Sequence, residues 1–417
     1  MRTLTLITIF LILAGLLSCN GNIVDPDDTD PDPPRELSES EKAIASSDAT
    51  FSYRIFRETV SYDNTADNLF ISPLSISMAL AMVLNGAEGE THNQIKETLG
   101  LSGLSEDEIN QNFLSLMNYL MSVDSKVAVK IANSVWYDEQ LEVKQEFLSR
   151  LQESFNARGE ALNFSDPASV NVINSWVSEN TNGRIETIID EISDEMVMFL
   201  INALYFKGDW LRQFDAEDTR DADFYLEDGS KTTVDMMNQS GDFATYFSED
   251  VQMIELPYGD SLYSMSVLMP TDFEKPIDDF VEESVNPENV SQWREGLRSS
   301  GREVMVSLPK FELEYELSYN DILRSMGMML PFSESEADFS EIAEPAGQNL
   351  FISEVKHKTF VAVDEEGTEA AAATSVGIGV TSMPPALEVN RPFVFIIHER
   401  TSGVNLFMGK VKNPNGD

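Results

Sequence analysis

Asp364-Glu365-Glu366-Gly367-Thr368-Glu369-Ala370-Ala371-Ala372-Ala373-Thr374 is the stretch on which the reading of this chain turns. Helix is one reading, because Ala is the best helix former and Glu is a good one. The continuation opposes it: Ser375-Val376-Gly377-Ile378-Gly379-Val380-Thr381-Ser382-Met383-Pro384-Pro385 mixes glycines with β-branched residues and closes on two prolines. No helix runs through such a segment. The whole reads as a long ribbon of small residues with an extended, exposed end. Small side chains are what a strand needs if it must slide between two strands that are already packed. A period of 2 then assigns faces. With Thr368 inward, Ala370, Ala372, Thr374 and Val376 also point inward, and Glu369 is expected to face solvent.

Around this ribbon, 417 residues with 42% hydrophobic content are enough to bury a sizeable core. No linker-like shift in composition and no internal repeat separates Ala43 from Lys412, so a single intertwined domain is expected over 38–417. Helix-spaced apolar runs (Ile76 to Leu84, Val170 to Val177) alternate irregularly with strand-like runs (Met265 to Met269, Phe393 to Ile397). That mixture predicts an α+β fold without the regular alternation of a doubly wound sheet.

The first residues carry processing information. Arg2 precedes an apolar stretch from Leu4 to Leu17 that ends in Leu16-Leu17-Ser18-Cys19, too short for a comfortable membrane span. It resembles a bacterial lipoprotein leader, which makes 1–18 a signal peptide and Cys19 the lipidated first residue of an extracytoplasmic, membrane-anchored or secreted protein. An ordinary signal peptide with an incidental Cys is the other reading. Cys19 is the single cysteine, so the folded domain is expected to hold together without a disulfide. Residues 19–37 include Asp25-Pro26-Asp27-Asp28-Thr29-Asp30-Pro31-Asp32-Pro33-Pro34 and read as an extended tether.

Net charge is −44, from 72 acidic against 28 basic residues. Repulsion disfavours nucleic acid and anionic polysaccharide as partners. Catalysis finds little support either. The three histidines, His92, His357 and His398, fall in no metal-binding spacing, and no nucleophile elbow or phosphate-binding glycine loop appears. No cofactor and no metal site is expected. His92 reads as a surface residue, and His398 as the end of an edge strand.

Several motifs carry a resemblance. Asn68-Leu69-Phe70-Ile71-Ser72-Pro73-Leu74-Ser75-Ile76-Ser77-Met78-Ala79-Leu80 and Asn202-Ala203-Leu204-Tyr205-Phe206-Lys207-Gly208-Asp209-Trp210 are joined by Ile173-Asn174-Ser175-Trp176-Val177, Glu255-Leu256-Pro257-Tyr258, Ser307-Leu308-Pro309-Lys310-Phe311, Arg391-Pro392-Phe393 and Phe407-Met408-Gly409-Lys410. In this order they resemble the serpins, the serine protease inhibitor family, over nearly all of the chain after the leader. The resemblance implies three β-sheets surrounded by about nine helices, with an exposed reactive-centre loop at about 365–385.

It also implies roles. His357 falls at the shutter, the part of the main sheet that opens to admit the loop, with Ser72, Ser75 and Asn202 as partners. Glu365 and Lys310 match an ion pair at the breach, where insertion begins, with Trp210 packed nearby. Glu365, Gly367, Thr368, Glu369, Ala370, Ala371, Ala372, Ala373 and Thr374 form the hinge. Spacing forward from Gly367 and back from Pro392-Phe393 places the reactive bond at Thr381-Ser382, flanked by Val380 and Met383. Cleavage after Val380 or Ser382 stays open, and Met383 is a weaker site for chymotrypsin-like enzymes. The partner implied is a serine protease of elastase or subtilisin type, with some reach to cysteine proteases, met by a monomeric covalent inhibitor. A serpin-fold surface protein that binds partners without inhibiting is the alternative.

Overall fold

The computed structural model describes residues 35–416 except 300, 302, 345–348 and 370–385. Cys19, hinge residues Ala370 to Thr374, and Val380, Thr381, Ser382 and Met383 lie outside the described residues.

Local chemistry starts the helices where the sequence signals them. Ser38 and Glu41 form a reciprocal capping box at the head of α1 (Glu39–Tyr62). Pro73 at the first position and the Ser72 hydroxyl, which accepts the Ser75 N–H, open α2 (Pro73–Leu84). Of its 12 residues all but Ala79 and Val83 are buried, so α2 is a core helix and not an amphipathic one. Seven more helices complete the set among the described residues: α3 (Gly89–Thr98), α4 (Glu106–Leu120), α5 (Gln145–Phe155), α6 (Ala168–Asn180), α7 (Ile277–Ser284), α8 (Pro287–Gly296) and α9 (Asn320–Ser325).

Strands β1 to β17 form three sheets. The main, six-stranded sheet runs β12 (Phe311–Ser318), β13 (Lys356–Val363), β14 (Gly367–Thr368), β4 (Met198–Asp209), β2 (Val127–Asp138) and β3 (Arg158–Leu162). A seven-stranded sheet orders β1 (Asn68–Ile71), β17 (Asn405–Val411), β16 (Phe393–Glu399), β9 (Tyr263–Pro270), β8 (Val251–Tyr258), β7 (Ala244–Phe247) and β10 (Arg298–Ser299). The third holds β15 (Ala386–Glu388), β11 (Val304–Pro309), β6 (Lys231–Gly241) and β5 (Arg220–Tyr225).

Burial separates the two faces of the main sheet. Along β13 the even residues Lys356, Lys358, Phe360 and Ala362 are half-exposed, while His357, Thr359, Val361 and Val363 are buried. The buried side rests on the large apolar core built with α1, α2, α4 and the seven-stranded sheet. On the outer side, α6 covers β2 and β4 through Trp136, Ile173, Trp176, Val177, Ile201 and Ala203.

Two histidines depart from the sequence reading. His398 is 2% exposed, because β16 lies between β9 and β17 in the interior of its sheet and not at an edge. His92 is half-buried beside Glu106. One acid also stands out: Asp48 of α1 is 3% exposed, accepts the Ser77 hydroxyl of α2 at 2.5 Å, and is pushed by burial up to about 7.

Candidate functional site

The ribbon enters the main sheet at its first residues. Gly367 pairs with Asp209, and Thr368 pairs with Gly208 on one side and Val363 on the other, antiparallel to both neighbours. Glycine is required here by close approach: a Cβ on Gly367 would lie 2.1 Å from the Gly208 carbonyl oxygen. Thr368 is 2% exposed and shares a 2.7 Å hydrogen bond with the Tyr258 hydroxyl. Tyr258 stacks on Trp210, centroids 4.4 Å apart. The Trp210 indole N–H donates to the Asp364 carbonyl at 3.0 Å, and its backbone N–H to the Glu366 carbonyl at 2.7 Å. Asp364 closes the turn, its Oδ1 accepting the N–H groups of Glu366 and Gly367.

Glu365 anchors the root of this turn. Its Oε2 lies 2.8 Å from Lys310 Nζ and its Oε1 accepts the Thr219 hydroxyl at 2.7 Å. Burial alone would raise the Glu365 carboxyl, but Lys310 and Thr219 outweigh it and hold the group below its usual value.

Glu369 departs from its assigned surroundings. Alternation is kept, since Thr368 points inward and Glu369 lies on the outer side, but the carboxylate is 6% exposed and paired with Arg184 Nε at 2.9 Å. The segment after α6 covers the sheet at this point, with the Arg184 guanidinium 5.0 Å above the Phe360 ring. Outer face therefore does not mean solvent here. Burial raises the Glu369 carboxyl.

Below Thr368, no ladder joins β4 to β13 among the described residues. Between them lies a cavity of about 630 Å³ whose lining includes Asn202, Leu204, His357 and Thr359. His357 Nε2 accepts the Ser72 backbone N–H at 2.9 Å, and burial drives the ring down to about 3, so it is neutral. Ser72 Oγ donates to the Leu406 carbonyl at 2.8 Å, and Ser75 Oγ reaches the Asn202 carbonyl at 3.4 Å. The Asn202 amide turns away from His357: its Nδ2 donates to Asn133 Oδ1 of β2 at 2.8 Å. Asn202 thus joins β4 to β2, and its part in the cluster is carried by its backbone carbonyl.

Arg184, Tyr258, Thr219 and Asn133 were beyond the reach of sequence reasoning as site residues. Tyr258 sits in a quoted motif, yet only its position above β14 shows its role. A Ser, a His and a carboxylate meet at His398. Ser266 Oγ lies 3.0 Å and Glu255 Oε1 2.9 Å from the same nitrogen, Nε2. A relay needs the two partners on opposite ring nitrogens, and Ser266 is 0% exposed. This cluster is structural.

A main sheet that holds the first residues of a strand above an unfilled cleft is the architecture that the serpin resemblance implies. The family model for Serpin (serine protease inhibitor) matches residues 46–414, and the chain belongs to the serpin family. It is 35% identical to the human leukocyte elastase inhibitor over 382 residues, 89% of this chain and 99% of that protein. The native state of tengpin, a thermophilic serpin, superposes with a TM-score of 0.82 at 32% identity, over 91% of this chain and 95% of tengpin. Human thyroxine-binding globulin gives 0.81 at 27% identity, over 90% and 99%. The family consists mostly of protease inhibitors, which are not themselves enzymes, and includes members that do not inhibit.

Proposed function

We propose that this protein is a covalent inhibitor of serine proteases, and the carrying observation is Gly367-Thr368 docked above the cleft between β4 and β13. The protease serine attacks the Thr381 carbonyl, an acyl ester forms, and the amine of Ser382 leaves with the C-terminal segment. The cut loop then enters the cleft as a strand. Continuing the observed register sets Glu369 opposite Ala362 and each later residue one step further down, so that Thr374 arrives opposite His357 and Asn202. About 15 residues at ~3.3 Å each carry the tethered protease roughly 50 Å.

Neither a charge nor a proline stands at an inward position from Thr368 to Val376, which favours fast insertion over release of the protease. Val380 and Thr381 suit a small apolar pocket, as in elastase-like or subtilisin-like enzymes, with cysteine proteases a lesser target. The similarity to the leukocyte elastase inhibitor agrees with this class. Cys19 and the acidic tether would hold the monomer at a membrane on the extracytoplasmic side. Incubation with an elastase and with subtilisin, followed by a denaturing gel, tests the proposal. A complex that survives SDS is expected, and mass spectrometry of the released peptide should locate the cut at Thr381-Ser382. Clean cleavage or no reaction would favour a partner-binding serpin that does not inhibit.

A further inference from the structure

We infer that Arg184 is a positioning residue for loop insertion: by holding the Glu369 carboxylate on the outer face of the main sheet, it keeps the hinge docked as a formed nucleus. This rests on the inhibitory reading above for its consequence, though not for its geometry.

The first observation is register. Val363 pairs with Thr368, and the Glu369 N–H donates to the Ala362 carbonyl at 3.1 Å, the next step of the same antiparallel ladder. Gly367 and Thr368 therefore occupy the places they would hold in an inserted strand, and the Glu369 N–H makes the bond it would make there. The side chains agree. Phe360 is on the outer, half-exposed face of β13, and Arg184 lies over its ring, so the Glu369–Arg184 pair is on the face that a strand's alternation requires.

The second observation is how firmly Arg184 is presented. After α6 the chain turns through two left-handed residues, Asn182 (φ 53°) and Gly183 (φ 80°). The Gly183 N–H donates to the Ser178 carbonyl at 2.7 Å, the Arg184 N–H to the Thr181 carbonyl at 3.0 Å, and the Ile185 N–H to Thr181 Oγ1 at 3.1 Å. Lys130 Nζ holds the Asn182 side chain at 2.7 Å. The backbone that carries Arg184 is thus fixed beside the entry to the cleft.

The third is backbone conformation. Glu369, the last described residue of the hinge, has φ 62°, a left-handed conformation unfavourable to a residue with a Cβ. Further insertion turns Glu369 to extended geometry and relieves that strain, while its amide stays bonded to Ala362 and its carboxylate stays on the outer face beside Arg184. Without the pair Glu369 loses its anchor on the outer face and the docked end of the hinge loosens, so insertion has to begin by ordering more chain before further ladder bonds reward it. Slower insertion lets deacylation win.

The test has two readouts on the full-length protein. Hydrogen exchange of the uncut protein reports docking directly: Arg184→Ala and Glu369→Gln should each raise exchange at the 367–369 amides about tenfold or more, with β13 amides below Ala362 unchanged. Reaction with an elastase reports the consequence: moles of inhibitor cleaved per mole trapped should rise about three- to tenfold, while the rate of loop cleavage changes less than twofold. Arg184→Lys should fall between wild type and Arg184→Ala. Glu369→Gln lies on the hinge and leaves the folded body intact, so it decides the matter if Arg184→Ala folds poorly. Protection at 367–369 equal to wild type would overturn the docking role. Lost protection with an unchanged or improved yield of complex would overturn the nucleus. If wild type forms no SDS-stable complex, the inhibitory reading falls, and exchange alone judges Arg184.

Discussion

Replacing Thr368 by Arg places a charge at the innermost point of the hinge. Thr368 is 2% exposed, its hydroxyl is the partner of a fully buried Tyr258 hydroxyl, and Trp210 stacks on the far side of that ring. The substitution leaves the Tyr258 hydroxyl unpaired, at about 1–3 kcal/mol. It also forces a guanidinium into the buried site beside the Tyr258 ring, at roughly 3 kcal/mol or more. A combined penalty of about 4 kcal/mol slows insertion by roughly a thousandfold, since each ~1.4 kcal/mol is a factor of ten. On the proposed inhibitory mechanism, deacylation then outruns insertion. Mixed with an elastase, the variant should be cut at the wild-type rate, yield no SDS-stable complex, and melt after cutting at the temperature of the uncut protein. Thr368→Val, which removes only the hydroxyl, should lose about tenfold and still form complex. A Thr368→Arg variant that traps protease at wild-type stoichiometry would refute the reasoning.

Glu365→Lys sets a cation against Lys310 at the root of the loop. Because Lys310 is 37% exposed, the screened effect is about 1 kcal/mol, and conversion to inserted or polymeric forms on warming should quicken roughly fivefold on a native gel. Two buried groups should bend the pH profile of unfolding in opposite directions. Asp48 has its folded pKa raised to about 7, so its contribution is complete below about 4 and is lost as pH rises to 7. His357 has its folded pKa lowered to about 3, so its contribution is complete above about 6.5 and is lost as pH falls. Asp48→Asn should gain on wild type between pH 4 and 7, and His357→Gln should gain as pH falls from 6.5 to 4, each by on the order of 2 kcal/mol in urea titrations. Parallel profiles for the variant and wild type would contradict the assignments.

At its first two alternating positions the hinge was legible because a strand's period is a local property: Thr368 points inward and Glu369 outward, as alternation demands. What covers the outer face was not legible. Arg184 lies 185 positions before Glu369, in the turn after α6, and no pattern in the ribbon announces that turn. The same limit applies to His398. Its strand ends an apolar run and resembles an edge from one side, but β9 and β17 flank it, and pairing with β9 joins segments some 130 residues apart. Lys310 and Glu365 were within reach through motif order, and their 2.8 Å contact gives that pairing its geometry. Asn202 illustrates a finer failure: its position beside the cleft follows from its motif, whereas its amide orientation is decided by Asn133 on a neighbouring strand.

Trp210 touches the hinge by hydrogen bond and its stacked partner touches it by another, so its indole senses whether Asp364 to Thr368 are in place. Of the four tryptophans, Trp136 of β2 and Trp176 of α6 form their own edge-on pair, and Trp293 stacks on Phe280. The protein therefore carries a built-in optical reporter. Changes in emission on cutting, warming or acidification can be assigned to this one ring by a Trp210→Phe control, and hinge movement followed in real time without any attached dye.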